Sequence, residues 1–232
     1  MLVDVDIIIL SYLDDKPLAR CIQCINQHCK DFNLILIDNN VTNKGWSLGN
    51  NFGASQGTSE YIWFLNSDAY CQHNTLHALL DRFRDDRCGA AASQQLDPMN
   101  PNLIRYGGSL SFYPYGQHRG GLVNMGNCDI PSRQVWLNGA SLLVKRDLFE
   151  ALKGFNENLF MYYGDSDFSL RVRRAGYDLW YEPESKVLHR LGSSASADGI
   201  DRDKKAFEKY WGIQPTETGF VSSLEFKELL QL

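Results

Sequence analysis

The sequence predicts an α/β fold, a mainly parallel sheet flanked by helices, and three observations predict it. Tyr61-Ile62-Trp63-Phe64-Leu65 is an apolar and β-favouring run without a charge, which suits a central strand buried on both faces of a parallel sheet. Two earlier runs, Ile7–Leu10 and Phe32–Ile37, are separated by a helix-length segment. Strand, helix and strand in this order form a βαβ unit with parallel pairing and a right-handed crossover. All three runs stop in polar residues, at Ser11-Tyr12, Asp38-Asn39-Asn40 and Asn66-Ser67-Asp68. That is the sheet edge at which open α/β folds place their ligands.

Taken in order, Val3 to Leu10 is the first strand, with its buried end at Ile7-Ile8-Ile9-Leu10. Pro17 suits the start of a helix that runs to about Lys30. Phe32 to Ile37 is the second strand. From Asn43 to Gly53 the glycines allow close backbone approach and the asparagines can bond a sugar or phosphate oxygen. The segment reads equally as a turn leading into a Gly-containing helix, and it lacks the Gly-Lys-Ser/Thr ending of a phosphate loop. Thr75 to Arg84 is helical, with Leu76, Leu79, Leu80 and Phe83 on one face, and Cys88 to Ala92 is a short strand.

From Gln94 to Arg133 prolines, glycines, asparagines and tyrosines accumulate. This is an irregular, partly β insertion of the kind that carries binding specificity on a rigid scaffold. Regular structure returns over Val135–Val144, and Asp147–Leu152 is a short helix closed by Gly154. Phe168 to Ala175 is a helix, with Asp165 as its natural N-cap and Gly176 as its stop. Phe168, Val172 and Ala175 share its packed face, and Arg171, Arg173 and Arg174 lie away from it. Tyr177–Tyr181 and Lys186–Leu188 are short strands, the second ending at His189. Asp201–Trp211 and Ser223–Leu230 are terminal helices, linked by Gly212 to Ser222.

Composition narrows the classes. With 44% hydrophobic and 22% charged residues the chain is an ordinary globular one, long enough at 232 residues to bury a sizeable core. A formal net charge of −5 argues against a general nucleic-acid binder. No apolar run approaches the ~20 residues that span a bilayer. The opening Met1-Leu2-Val3-Asp4-Val5-Asp6 carries acids and leads into a strand, unlike a secretory signal. Six cysteines are too sparse for a disulfide scaffold, so reduced thiols in a cytoplasmic protein are expected. Cys21-x-x-Cys24 with His28 and Cys29 has the look of a zinc site. Leu18, Ile22, Ile25 and Cys29 fall at helical spacing, however, which favours packing.

The candidate chemistry is a set of three acidic strand ends, Asp38, Asp68 and Asp165/Asp167, and one strand-end histidine, His189. Asp68 with Asn66 offers hard oxygen ligands suited to Mg²⁺ or Mn²⁺, which reach a protein through a carboxylate and a substrate's phosphates. Each residue also has a plainer use: Asn-Ser-Asp as a turn, Asp165 and Asp167 as helix-start acids, His189 as a half-buried histidine.

In this order the segments resemble the family 2 inverting glycosyltransferases, and among them the bacterial rhamnosyltransferase-like branch. The resemblance is carried by Ile7–Tyr12, Leu36–Asn40, Asn43–Trp46, Phe64–Asp68, Asn138–Ala140, Gly164–Arg171, Arg174–Tyr177, Glu182-Pro183 and Val187–His189. It covers roughly residues 3–192. It implies the GT-A fold, over residues 1–212, with a nucleotide-sugar-binding half at 1–93, an acceptor and catalytic half at 94–192, and a C-terminal helical tail at 213–232. It implies further that Asp38 accepts a hydrogen bond from a uracil or thymine base, with Ser11, Tyr12, Asn40, Asn43, Gly45, Asn66 and Ser67 along the nucleotide. Asp68 and His189 would hold Mn²⁺ or Mg²⁺, and Asp165 would be the catalytic base. Trp136, Asn138, Gly139, Tyr162 and Asp167 would face the acceptor.

The implied activity is metal-dependent inverting transfer from a UDP- or dTDP-sugar, dTDP-rhamnose among them, to a glycan or lipid-linked acceptor of a bacterial surface polysaccharide. The setting would be cytoplasmic, with contact at the inner membrane face and the oligomeric state both left open. Gly164 stands where the family usually has an acid, and the segment between Asn40 and Asn43 is short. These two departures keep a catalytically silent nucleotide- or carbohydrate-binding relative in view as the alternative. A sugar-nucleotidyltransferase would need a basic, Gly-rich loop after the first strand, and Ser11-Tyr12-Leu13-Asp14-Asp15 is acidic.

Overall fold

The computed structural model describes residues 4–13, 15–111, 117–118, 128–189, 196–216, 219–221 and 224–231. In chain order the elements are β1 (Val5–Ser11), α1 (Asp15–His28), β2 (Phe32–Asp38), α2 (Gly45–Ala54), β3 (Tyr61–Leu65), β4 (Ala69–Cys71) and α3 (Thr75–Arg82). Then come β5 (Cys88–Leu96), β6 (Ile104–Tyr106), β7 (Ser109–Ser111), β8 (Gln117–His118), β9 (Ser132–Arg133), β10 (Ser141–Lys145) and α4 (Arg146–Ala151). The chain continues with α5 (Gly164–Arg174), β11 (Asp178–His189), α6 (Ala197–Trp211), β12 (Gln214–Thr216), β13 (Gly219–Val221) and α7 (Leu224–Leu229).

The main sheet runs β2-β1-β3-β10-β5-β11-β4, with β1 parallel to both β2 and β3 and β5 parallel to β11. Successive strand residues point to opposite faces, and this divides the core into two layers. Ile7, Ile9, Trp63 and Leu65 meet Cys21, Ile25, Leu76 and Leu79 of α1 and α3 on one face. Ile8, Ile62, Phe64 and Val144 meet Phe149, Phe155, Phe168, Phe207 and Trp211 on the other. Cys21 and Cys29 are thus packed beneath α1, and the Cys21 thiol donates to the Ala69 carbonyl at 3.2 Å.

Several elements differ from expectation. β3 is central and buried, but it pairs in parallel with β1 on one side and antiparallel with β10 on the other, within a mixed sheet that stays mainly parallel. β5 runs to Leu96, carrying Gln94 and Gln95 into the sheet rather than into the insertion. Tyr177–Leu188 contains one long strand with a register shift between Glu182 and Lys186, because Pro183 cannot donate to a ladder. Val135 to Leu137 are buried without being a strand, since the Leu137 amide donates to Ser169 Oγ of α5 at 3.0 Å. The segment between α6 and α7 holds the β12–β13 hairpin.

Beneath the sheet, one buried ion pair joins four segments. Arg146 at the start of α4 donates to Asp6 of β1 at 2.6 Å, to the Ser59 carbonyl at 2.7 Å and to the Ala54 carbonyl at 2.8 Å. Asp6 also accepts from the Ser59 amide at 3.0 Å and hydroxyl at 2.7 Å, and from Asn33 at 3.2 Å. Every oxygen and most donors are satisfied, so removing one partner strands a buried charge. Arg146→Met should cost about 3–5 kcal/mol of folding stability in urea unfolding, and a loss below about 1 kcal/mol would contradict it.

Candidate active site

The chain goes from β1 to β2 on one side, then returns to β3 on the other side of β1. The carboxyl ends of β2, β1 and β3 therefore stand side by side, at the edge where open α/β sheets place their ligand crevice. Three further segments reach the same edge. β10 runs antiparallel to β3, so its first residues, beside Leu65, lie at that edge and bring Asn138-Gly139-Ala140 with them. β11 ends there at His189, which pairs with Ala69 of β4, one residue after Asp68. α5 begins against the Asn138–Ala140 loop.

Asp68 is partly exposed, and its carboxylate lies 3.3 Å from His189 Nε2. The other imidazole nitrogen, Nδ1, is 2.8 Å from Gln95 Oε1, and Gln95 Nε2 donates to Asn138 Oδ1 at 2.7 Å. The next amide, Gly139 N–H, donates to Asp165 Oδ2 at 2.9 Å, while Asp165 Oδ1 accepts from the Ser166 amide at 2.8 Å. Asp68, His189 and Asp165 thus belong to one connected polar group, although they lie far apart in sequence. Asn66 joins it from the other side: its amide donates to the Ala140 carbonyl at 2.9 Å, and its side-chain oxygen accepts from the Trp46 indole at 3.3 Å.

Asp165 is not the N-cap. Tyr163 takes that position with φ +64°, and Asp165 stands in the first turn of α5. Its carboxylate is turned across to the Gly139 amide, and in the helix macrodipole's positive field an anion is favoured there. Burial nevertheless pushes the Asp165 carboxyl above the ordinary aspartate range, and the Gly139 and Ser166 amides offset only part of that. One turn on, Ser169 Oγ donates to the Asp165 carbonyl at 2.7 Å, so α5 grips residues 137–139 at two points. Asp203 of α6 fixes the approach to α5 by accepting from the Met161 amide at 2.7 Å and the Tyr162 amide at 2.9 Å.

Gly164 and Gly139 are small for a steric reason. A Cβ at Gly164 would lie 2.5 Å from Ser47 Oγ, and one at Gly139 would lie 2.5 Å from the Trp46 ring. The acid that the family resemblance leads one to expect at residue 164 therefore has no room beside α2.

At the β2 end, Asp38 is exposed and accepts from the Asn40 amide at 2.8 Å and the Asn40 side chain at 2.9 Å. Asn40 Oδ1 accepts from the Leu13 amide at 2.9 Å, and Ser11 O from the Asn39 amide at 2.8 Å, which ties the ends of β1 and β2 together. Tyr12 is exposed beside them. Asn39, buried between Asp38 and Asn40, accepts from the Lys44 amide at 2.9 Å and donates to the Gly45 carbonyl at 3.2 Å. It is what closes the short connection to α2. Asn43 accepts from the Gly45 amide at 2.9 Å, and Gly45, at φ +71°, lies against the Phe160 carbonyl. Both are used in building that loop.

Two candidate acceptor residues are not brought to the crevice. Trp136 is 3% exposed, in the core beside Tyr106. Asp167 is fully buried, bonded to Arg171 at 2.8 Å and to the Trp211 indole at 3.0 Å, which also turns Arg171 inward. Tyr162 is half-buried, and its hydroxyl accepts from the Ser196 amide at 2.8 Å. Gln95, Trp46 and Asp203 take places around the site that sequence reasoning did not assign to them. Nothing local marks Gln95 or Asp203, whose roles exist only through distant partners, whereas Trp46 lies inside a recognised motif.

Among the described residues no group of three or more His, Cys, Asp or Glu side chains could hold a metal ion. The donor set at Asp68 and His189 still suits a hard divalent cation, which needs only one or two protein ligands when phosphates supply the rest. No helix among the described residues is long and apolar enough to cross a membrane.

Residues 40–130 match the model of the family described as "Glycosyl transferase family 2". An N-acetylglucosaminyl-diphospho-decaprenol L-rhamnosyltransferase of Mycobacterium tuberculosis is 30% identical over 152 residues, covering 60% of this chain and 50% of that protein. The O-antigen chain rhamnosyltransferase WbaN of Salmonella anatum is 29% identical over 161 residues, covering 68% of this chain and 49% of that protein. The chain spans about half the length of these curated relatives. Among solved structures, GalNAc-T7 with UDP, GalNAc and Mn²⁺ superposes with a TM-score of 0.70 at 14% identity, covering 90% of this chain and 48% of that one. The mannosyltransferase PcManGT of Pyrobaculum calidifontis, in complex with GDP-Man and Mn²⁺, superposes with a TM-score of 0.63 at 15% identity, covering 97% and 67%.

Proposed function

We propose that this chain, a family 2 glycosyltransferase of rhamnosyltransferase-like type with the GT-A fold, catalyses inverting transfer of a sugar from a UDP- or dTDP-sugar, dTDP-rhamnose among them, to a hydroxyl of a glycan or lipid-linked acceptor. The observation that carries this reading is the convergence of Asp68, His189 and Asp165 at one sheet edge, linked through Gln95 and Asn138-Gly139. Asp38, with Ser11, Tyr12 and Asn40, receives the base and ribose at the ends of β2 and β1. Strands are ~4.8 Å apart, so the end of β2 lies about 10 Å from that of β3, a gap for the nucleoside to cross.

Asp68 and His189 would hold Mn²⁺ or Mg²⁺, which supplies the positive charge that a departing nucleoside diphosphate needs. Asn66 and Ser67 line the same turn. Asp165 takes the proton of the acceptor hydroxyl as its oxygen attacks the anomeric carbon from the far side. Burial gives that carboxylate the raised affinity for a proton that suits a general base. Asn138, Gly139 and Tyr162 stand on the acceptor side. The mycobacterial relative's name contains a decaprenol-linked acceptor, and a similar acceptor here would place the chain at the cytoplasmic face of a membrane, in surface polysaccharide synthesis.

A panel of UDP- and dTDP-sugars, assayed for donor hydrolysis and transfer with and without Mn²⁺, tests the proposal. Metal-dependent consumption of one donor is expected. Calorimetric binding of UDP or dTDP without turnover of any donor would favour a silent binding relative instead.

A further inference from the structure

Gln95 is fully buried in β5, at the centre of the sheet edge, and its amide bridges His189 and Asn138. The orientation of that amide follows from one backbone group. The Ala140 N–H, which can only donate, points at Asn138 at 3.0 Å, so the atom it meets is Asn138 Oδ1. The same oxygen lies 2.7 Å from Gln95, which must present its NH₂ there and its oxygen to His189. His189 Nδ1, 2.8 Å from that oxygen, then carries the proton. In the neutral imidazole the lone pair of Nε2 then faces the Asp68 carboxylate at 3.3 Å. Two acceptors pointed at each other across that gap repel unless a cation is shared between them.

We propose that Gln95 is a positioning residue that couples the two poles of the site. On one side it holds His189 in the Nδ1–H tautomer, with Nε2 offered to a divalent cation beside Asp68. On the other it holds Asn138, and through it the Gly139 amide that fixes the Asp165 carboxylate. The inference rests on the reading of Asp68–His189 as the metal pair and Asp165 as the base. It adds that one buried amide sets both geometries, each through its own end.

Gln95→Glu and Gln95→Leu separate the two bonds. A glutamate still accepts from His189 Nδ1–H but no longer donates to Asn138, whereas a leucine does neither. Mn²⁺ affinity of the whole chain with UDP, read by electron paramagnetic resonance without turnover, should stay within a few-fold of wild type in Gln95→Glu. In Gln95→Leu it should fall about 10–100-fold, the usual cost of removing an outer hydrogen bond to a metal-binding histidine. kcat should fall in both variants. Nitrogen-15 spectra of the metal-free wild type at alkaline pH should show His189 protonated on Nδ1.

An Nε2–H tautomer, or equal Mn²⁺ affinity in wild type and a folded Gln95→Leu, overturns the proposal, as does the same Mn²⁺ loss in both variants. Failure of the underlying reading looks different: wild type itself would not bind Mn²⁺ with UDP or dTDP, or Asp68→Asn would leave binding unchanged.

Discussion

Asp165→Asn should lower turnover by about 10²–10⁴-fold, the usual contribution of a positioned general base. The change is nearly isosteric, and one amide oxygen can keep either the Gly139 or the Ser166 hydrogen bond. The other amide then faces an NH₂ group, a loss of about 1–3 kcal/mol at most, so the variant should remain folded in urea unfolding. The pH dependence gives a second reading of the same residue. Burial raises the native carboxyl above the ordinary aspartate range, and a base works only when ionised. The acid limb of kcat/KM in wild type should therefore lie above that range, with activity rising as pH rises. The stability linkage has the opposite sense. A raised native pKa means that the folded state binds this proton more tightly than the unfolded chain. Its contribution is fully present below the unfolded pKa and is lost as pH rises through the native one. Asp165→Asn should abolish that slope. Near-normal turnover in the folded variant would remove Asp165 from the reaction.

Asp68→Asn should cost about 10²–10³-fold in kcat/KM, comparable to the loss of one charge-stabilising group at a reacting centre. Its carboxylate faces His189 across 3.3 Å and is partly exposed to the crevice, so a neutral amide weakens the hold on a divalent cation without opening a buried cavity. Wild type treated with EDTA should lose activity to a similar degree and recover it on addition of Mn²⁺. Recovery should be poor in Asp68→Asn at the same Mn²⁺ concentration. Full turnover in EDTA would exclude the metal, and normal Mn²⁺ recovery in the variant would exclude Asp68 as its ligand.

Much of this candidate site was legible in the chain because open α/β sheets place their ligands at the ends of parallel strands. The apolar runs ending at Ser11, Asp38 and Asp68 carry their own boundary in the switch from β-favouring to polar residues. Strand and helix type followed from the same periodicity for β1, α1, β2, β3 and α3. Antiparallel strands reverse the rule, since their first residues lie at the ligand edge. For this reason Asn138 to Ala140 could be marked by resemblance but not by strand-end logic, and the regular stretch over Val135–Val144 becomes a strand only from Ser141. Gln95 was hidden for another reason. A glutamine next to a Pro- and Gly-rich stretch reads as surface loop, and only its pairing inside β5 makes it a buried bridge.

What the sequence determined by itself was the class of fold and the strand ends on which several of the candidate residues stand. Local patterning is enough for that, because burial on two faces demands apolar strands, and a charge within one, as at Asp6, needs a buried partner. What only the tertiary structure decided was which of those residues face the crevice. Asp165 and Asp167 are two positions apart in one helix, yet the first is turned to the Gly139 amide and the second is enclosed by Arg171 and Trp211. A helix places successive side chains about 100° apart, and the packing of α5 against the 137–139 loop on one side and α6 on the other assigns each its surroundings.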